Sequence, residues 1–151
     1  MADDAGLPAL RDRGFDELDA REAYALWRLR QQVFVVEQAP PYPDLDGRDL
    51  EPGTRHLTVS ADGELVACLR LLVEDDGWRI GRVAVAPEHR GAGLSRRLLE
   101  AALARTGDAQ VRLDAQVRLA AFYAGYGFEV DGPEFVEDGV AHLPMRRPSG
   151  R

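Results

Sequence analysis

The spacing of apolar residues changes several times along this chain, and each change predicts an element. Ala23, Leu26, Trp27, Arg30 and Phe34 recur at three- and four-residue intervals, the signature of one helix face. Asp19 and Glu22 precede them in capping-box spacing, so the helix should start there. Glu37 shares that face if the helix runs so far, and Val35-Val36 leave its end open. Between residues 38 and 53 the periodicity is lost. Pro40, Pro41, Pro43 and Pro52 forbid regular helix and Asp46-Gly47 marks a turn. A long ordered loop or a short broken helix is expected there, of the kind that commonly lines sites.

The period then falls to two. His56 to Ser60 alternates, Asp62-Gly63 is a hairpin signal, and Glu64 to Val73 is a second strand. Asp75, Asp76 and Gly77 turn the chain, and Trp78 to Val85 forms a third apolar run. Helical spacing returns from Leu94 to Arg105, with Leu94, Leu98, Ala101 and Ala102 inward and Arg96, Arg97 and Glu100 outward. Thr106-Gly107-Asp108 breaks it. Val111 to Ala115 reads as a strand, and Leu119 to Tyr126 as a short helix stopped by Gly127. Phe128 to Val130 is another strand, and a last hairpin runs from Phe135 through Asp138-Gly139 to Met145. The chain shows no repeat, low-complexity stretch or linker. Residues 1–147 therefore read as a single domain, with 148–151 as a tail that should fray.

Composition narrows the functions. Among 151 residues, 45% are hydrophobic and 30% charged, the balance of a soluble globular protein. The 19 basic and 26 acidic residues leave a net charge of -7, which should repel a phosphate backbone, so a general nucleic-acid binder is not expected, though a local basic patch stays open. A single cysteine, Cys68, sits in an apolar run and reads as a small buried hydrophobe in a reducing compartment. No stretch approaches a membrane span, and Met1-Ala2-Asp3-Asp4 lacks the apolar core of a signal peptide, so a cytoplasmic location is expected. Every basic residue is arginine. That removes Schiff-base lysine chemistry and Walker-type phosphate loops.

The segment with the most chemistry is Val83-Ala84-Val85-Ala86-Pro87-Glu88-His89-Arg90-Gly91-Ala92-Gly93-Leu94-Ser95. A strand ends, two glycines follow, and a helix starts. Glycine lets the backbone turn successive N–H groups to one side, and a helix start adds unpaired donors in a positive field. Arg90 adds charge. Together these can cradle a diphosphate. The alternative is a plain turn in which the glycines only relieve strain. The spacing is not that of a dinucleotide fingerprint.

Arg90-Gly91-Ala92-Gly93-Leu94-Ser95 resembles the R/Q-x-x-G-x-G/A loop of the GNAT superfamily of N-acetyltransferases, with Ser95 where glycine or alanine is usual. The later run from Leu119 to Phe128, with Phe122-Tyr123 and Gly127-Phe128, resembles that family's second motif. Leu29 to Gln38, Pro41 to Gly47, Arg55-His56 and Asp138 to His142 look like its ElaA branch. The resemblance implies an α+β fold: a mostly antiparallel twisted sheet of about six or seven strands with about four helices. The sheet would be splayed between the fourth and fifth strands.

It implies a function too: transfer of an acetyl group from acetyl-CoA to an amine, on a small molecule or a peptide, without a metal. Val83, Ala84 and Val85 would pair with pantetheine, and an amide at Val83 or Ala84 would polarise the acetyl carbonyl. Arg90, Gly91, Ala92, Gly93, Leu94 and Ser95 would take the pyrophosphate, with Arg96 near the nucleotide phosphates and Phe122 against the coenzyme arm. Tyr123 would protonate the departing thiolate; the two groups differ by about 1.5 pKa units, so a neutral tyrosine is a reasonable donor. A core tyrosine with a satisfied hydroxyl would give the same pattern.

No acid lies between Trp78 and Val85, where many relatives carry a glutamate. The base candidates are Glu37, His56, Asp114, His142 or a water chain. Glu37 comes first, as an acceptor-site carboxylate on the face of Arg30, and the plainer reading of that pair is a structural ion pair. Asp44, Asp46, Asp49 and Glu51 against Arg48 give the loop a negative charge suited to a cationic amine, or simply a solvated face. Two further readings stay open: acyl-homoserine-lactone synthesis, and a non-catalytic acyl-CoA-binding module. The C-terminal hairpin can serve as a homodimer contact.

Overall fold

The structure, a computed structural model, describes residues 8–38 and 43–150. The expectations for Met1 to Asp4, Pro40 and Pro41 lie outside the described residues. Eight strands make one sheet: β1 (Ala9–Gly14), β2 (Arg55–Ala61), β3 (Glu64–Glu74), β4 (Gly77–Val85), β5 (Val111–Gln116), β6 (Glu129–Val130), β7 (Phe135–Glu137) and β8 (Val140–Arg147). Their order is β1-β2-β3-β4-β5-β8-β6, with β7 also on β8. All pairs are antiparallel except β4 with β5. Three α-helices complete the described fold: α1 (Ala20–Gln31), α2 (Leu94–Thr106) and α3 (Ala120–Ala124). The α+β architecture and the splay are as expected.

The strand missing from the expectation is β1. Its sequence alternates no apolar residues, because Arg11 and Arg13 lie on an edge strand and only Leu10 packs against the core. The final α-helix is also shorter than predicted: a 3₁₀ turn at 117–119 takes its first residue, and after Ala124 the end tightens, with Tyr126 N–H returning to Tyr123 O and Gly127 N–H to Ala124 O.

The Asp19 capping box is present: Glu22 N–H donates to Asp19 Oδ1 at 2.8 Å and Asp19 N–H to Glu22 Oε1 at 3.2 Å. The helix does not then run unchanged to Phe34. Residues Gln32–Glu37 widen into a π-helical turn, a feature often found at functional sites. The wider turn breaks the seven-residue spacing that put Glu37 on the face of Arg30.

α2 packs on one face of the sheet and α1 on the other. Leu57, Val59, Leu69, Leu71, Leu98, Leu99 and Val111 make the first core, and Leu26, Leu29, Cys68 and Ala84 the second. This explains why β3 is apolar almost throughout: both its faces are covered. Each leucine or valine among them contributes about 1.5–3 kcal/mol on burial.

Two local features open the sheet. Gly77 lets β4 begin flush against the chain before β5, where a Cβ would lie 2.1 Å from the Gln110 carbonyl. Trp78 N–H donates to that carbonyl at 2.9 Å. Farther along, Cys68 pairs with Ala84 but Arg70 pairs with Gly81. Arg82 and Val83 thus stand opposite the single residue Leu69, a β-bulge that sharpens the twist of β4. The β4–β5 register accordingly covers only Trp78↔Val111 and Arg79↔Arg112, after which the strands part.

Candidate active site

The gap between β4 and β5 is a cleft of about 940 Å³. Backbone from Ile80 to Val85 forms one wall and Leu113 to Gln116 the other. The loop before α2, the aromatic side chains of α3, the π-helical turn and the β7–β8 turn close it. Every residue expected at the coenzyme, except Ala92, lines this space: Val83, Ala84, Val85, Arg90, Gly91, Gly93, Leu94, Ser95, Arg96 and Phe122. Tyr123 and Glu37 line it as well.

The cradle is built from backbone. Gly91 and Gly93 both hold left-handed conformations, φ +83° and +79°, which cost a non-glycine residue about 1–2 kcal/mol. A Cβ on either would meet nothing, so space is not the reason for glycine; conformation is. Gly93 caps α2 without a side-chain hydrogen bond. The first helical return is Arg97 N–H to Gly93 O at 3.1 Å. The amides from Gly91 to Arg96 meet no acceptor among the described residues, and residues 91–93 are exposed. These donors fit a diphosphate, each charge-assisted bond being worth about 1.5–3 kcal/mol.

Arg90 and Glu37 differ from expectation. Arg90 grips Glu37 with both terminal nitrogens, at 2.6 and 2.7 Å, and its Nε donates to Val85 O at 3.1 Å. The guanidinium hydrogen bond holds the Glu37 carboxyl below its ordinary range. Both carboxylate oxygens are engaged, which makes Glu37 a poor proton acceptor. It joins the π-helical turn to the cradle and makes no pair with Arg30.

Arg30 is instead the hub of a buried ionic lattice. Only 1% exposed, it donates through Nε to both oxygens of Asp44 (3.1 and 2.9 Å) and through its terminal nitrogens to Asp49 (2.7 and 3.2 Å). Arg70 donates to both oxygens of Asp46 at 2.9 Å and to Asp49 at 3.2 Å. Arg82 reaches Asp44 Oδ1 through Nε at 2.8 Å and Asp46 Oδ2 through Nη2 at 3.1 Å. Three guanidinium groups thus balance three carboxylates, and removing one partner of a buried pair costs about 3–5 kcal/mol. This corrects the picture of a negative loop awaiting a cation, because Asp44, Asp46 and Asp49 are spent on fastening it to β3 and β4. One warning was available in the sequence: an arginine at position 70 inside the apolar run of β3 needs a buried partner.

His56 belongs to this lattice, 2% exposed with Nε2 3.2 Å from Asp49 O, and does not line the cleft. Burial lowers its pKa. His142 does line the cleft, stacked on Phe135 with centroids 5.6 Å apart. Its Nδ1 lies 2.8 Å from Val140 O. A carbonyl only accepts, so Nδ1 is the donor in that contact and Nε2 is the ring nitrogen left over. Asp114 also lines the cleft, 3.6 Å from Arg79 Nη1.

Tyr123 and Tyr126 separate two roles for a helix tyrosine. Tyr126 hydroxyl donates to Glu100 Oε1 at 2.9 Å. Tyr123 packs edge-on against Phe122 and Phe128, at 5.2 and 5.9 Å, and its hydroxyl has no hydrogen-bond partner among the described residues. Burial raises its pKa, so it stays protonated in neutral solution.

A sheet parted after the fourth strand, with bare amides at the following helix start, fits an acyltransferase. A family model for the acetyltransferase (GNAT) domain matches residues 16–148, and the chain belongs to that family. Within it, the chain is 40% identical to protein ElaA of Escherichia coli over 144 residues, 91% of this chain and 94% of that one. Against the crystal structure of ElaA it superposes with a TM-score of 0.87, covering 93% of this chain and 99% of the other. A UPF0039 protein of Mycobacterium tuberculosis is 52% identical over 145 residues, 93% of both chains. An acyl-CoA N-acyltransferase from Pseudomonas aeruginosa superposes with a TM-score of 0.89 at 40% identity, covering 93% of this chain and 99% of that one.

Proposed function

We propose that the protein moves an acetyl group from acetyl-CoA directly to an amine. The observation that carries this is the run of amides from Gly91 to Arg96, unpaired among the described residues, in a segment that lines the same cleft as Tyr123 at every position but Ala92. The cradle takes the diphosphate, with Arg96 near the nucleotide end and Phe122 against the coenzyme arm. Among the described residues β4 has no strand partner on its β5 side beyond Arg79, so Val83, Ala84 and Val85 offer pantetheine a strand edge. Arg90 must leave Val85 O for that carbonyl to pair fully, and the diphosphate supplies its new partner.

An amide in the bulge at Val83 or Ala84 polarises the thioester carbonyl. The amine nitrogen attacks the carbonyl carbon, the C–N bond forms and the C–S bond breaks. Tyr123 gives its proton to the departing thiolate. The proton lost by the amine goes to His142 Nε2, directly or through water. Of the candidates, Glu37 is held by Arg90, His56 is walled off, and Asp114 lies beside Arg79.

The test is thiol release from acetyl-CoA over a panel of polyamines, aminoglycosides, amino acids and peptides. The reading expects turnover with at least one amine, and a lower kcat in His142→Gln. Saturable acetyl-CoA binding with no turnover across the panel would instead mark a binding module. Product formation from S-adenosylmethionine and acyl carrier protein would mark a lactone synthase.

A further inference from the structure

The bulge in β4 holds an unusual residue. Arg82 takes φ +50°, a left-handed conformation that a long side chain rarely adopts. It lies between Gly81 and Val83 on the cleft wall, where the bulge aims backbone into the site. A strained residue persists only where its surroundings over-determine it. Here they do so from two sides. The guanidinium is fastened to the 43–50 loop, at 2.8 Å from Asp44 Oδ1 and 3.1 Å from Asp46 Oδ2, with Nη2 also donating to Asp44 O at 2.9 Å. On the other side, the Cys68 thiol donates to Arg82 O at 3.4 Å. Cys68 is fully buried and its thiol is pushed up to about 12, so it remains a donor at any ordinary pH.

We infer that Arg82 is a positioning residue whose anchored side chain and thiol-bonded carbonyl fix the β4 bulge, and with it the amides that meet the thioester carbonyl. This deepens the proposed acetyl transfer and rests on it. It also assigns a task to three groups that bind no substrate. Asp44 and Asp46 transmit the seating of the 43–50 loop to the reacting end of the cleft. Cys68 acts as a hydrogen-bond donor and has no redox or nucleophilic part.

The discriminating variants are Arg82→Ala, Arg82→Gly and Arg82→Lys, with acetyl-CoA turnover and hydrogen exchange of residues 81–85 as paired readouts. Arg82→Gly adopts a positive φ freely but loses the anchor, so relief of strain and loss of position act in opposite directions. Expected are a fall in kcat of about tenfold or more for both Ala and Gly, little change in KM for acetyl-CoA, and partial rescue by Lys. A displacement near 1 Å can cost about a hundredfold, which bounds the effect. Exchange at 81–85 should quicken in Ala and Gly. Wild-type kcat in Arg82→Gly overturns the inference, and so does unchanged exchange at the bulge. If the unmodified protein releases no thiol with any amine, acetyl transfer fails on its own; the exchange measurement still decides whether the anchor holds the bulge.

Discussion

The two ends of the cleft are made of different materials. At the end formed by the cradle, Gly91 to Arg96 offers main-chain amides that meet no acceptor among the described residues, with residues 91–93 exposed. At the end formed by the 43–50 loop, Arg30, Arg70 and Arg82 are matched against Asp44, Asp46 and Asp49, each charge engaged by more than one bond. The first has donors to spare, as the proposed diphosphate site requires. The second has spent its charges on itself. Charge near a cleft is therefore no guide to substrate charge until partners are counted.

The largest test of this contrast is at the closed end. Arg30→Ala leaves Asp44 and Asp49 short of a buried partner. It should cost about 3–5 kcal/mol, with Tm falling by roughly 10 °C in calorimetry. A shift under about 2 °C would show the lattice to be incidental.

At the open end, Tyr123→Phe should lower kcat by about a hundredfold with acetyl-CoA affinity nearly unchanged, as loss of an acid that acts only in the reaction requires. Equal turnover would remove that role from Tyr123.

Acid should dissolve the closed end in two stages. His56 has a folded pKa below its unfolded value, so its contribution is present above about 6.5 and is lost as pH falls from there. Asp46 is lowered from 3.8 to about 2, chiefly by its hydrogen bonds and charge contacts with Arg70, Arg48 and Arg82 working against burial. Its contribution, at most about 2 kcal/mol, is lost as pH falls from about 3.8 to about 2. Urea melts at stepped pH check both stages, and His56→Gln should abolish the first.

The smallest effect is at the clasp between the two ends. Glu37→Gln weakens an exposed pair, so stability should change by less than about 1 kcal/mol and kcat by less than about threefold. A fall in kcat of about a hundredfold would restore Glu37 as the base.

The same division decides what could be read without coordinates. The cradle is local: two glycines, a helix start and a preceding strand lie within a few residues, and the Asp62-Gly63 and Asp138-Gly139 turns are equally local, with positive φ at all four positions. The lattice is not. Arg30 and Asp49 are 19 residues apart, and Arg82 and Asp44 are 38 apart. No periodicity encodes which arginine meets which aspartate. The Glu37–Arg90 clasp, 53 residues apart, was hidden for the same reason, and the π-helical turn moved Glu37 from its expected face. β1 escaped notice because an edge strand rich in arginine carries almost no hydrophobic alternation.

The bare amides are tested most directly by calorimetric titration of acetyl-CoA and of pantetheine into the wild-type protein and into Gly93→Ala. The diphosphate cradle predicts saturable uptake of acetyl-CoA, far weaker uptake of pantetheine, and about tenfold weaker acetyl-CoA binding by Gly93→Ala, where a Cβ disturbs the left-handed turn. Equal binding of acetyl-CoA and pantetheine, or no heat from acetyl-CoA at all, would contradict it.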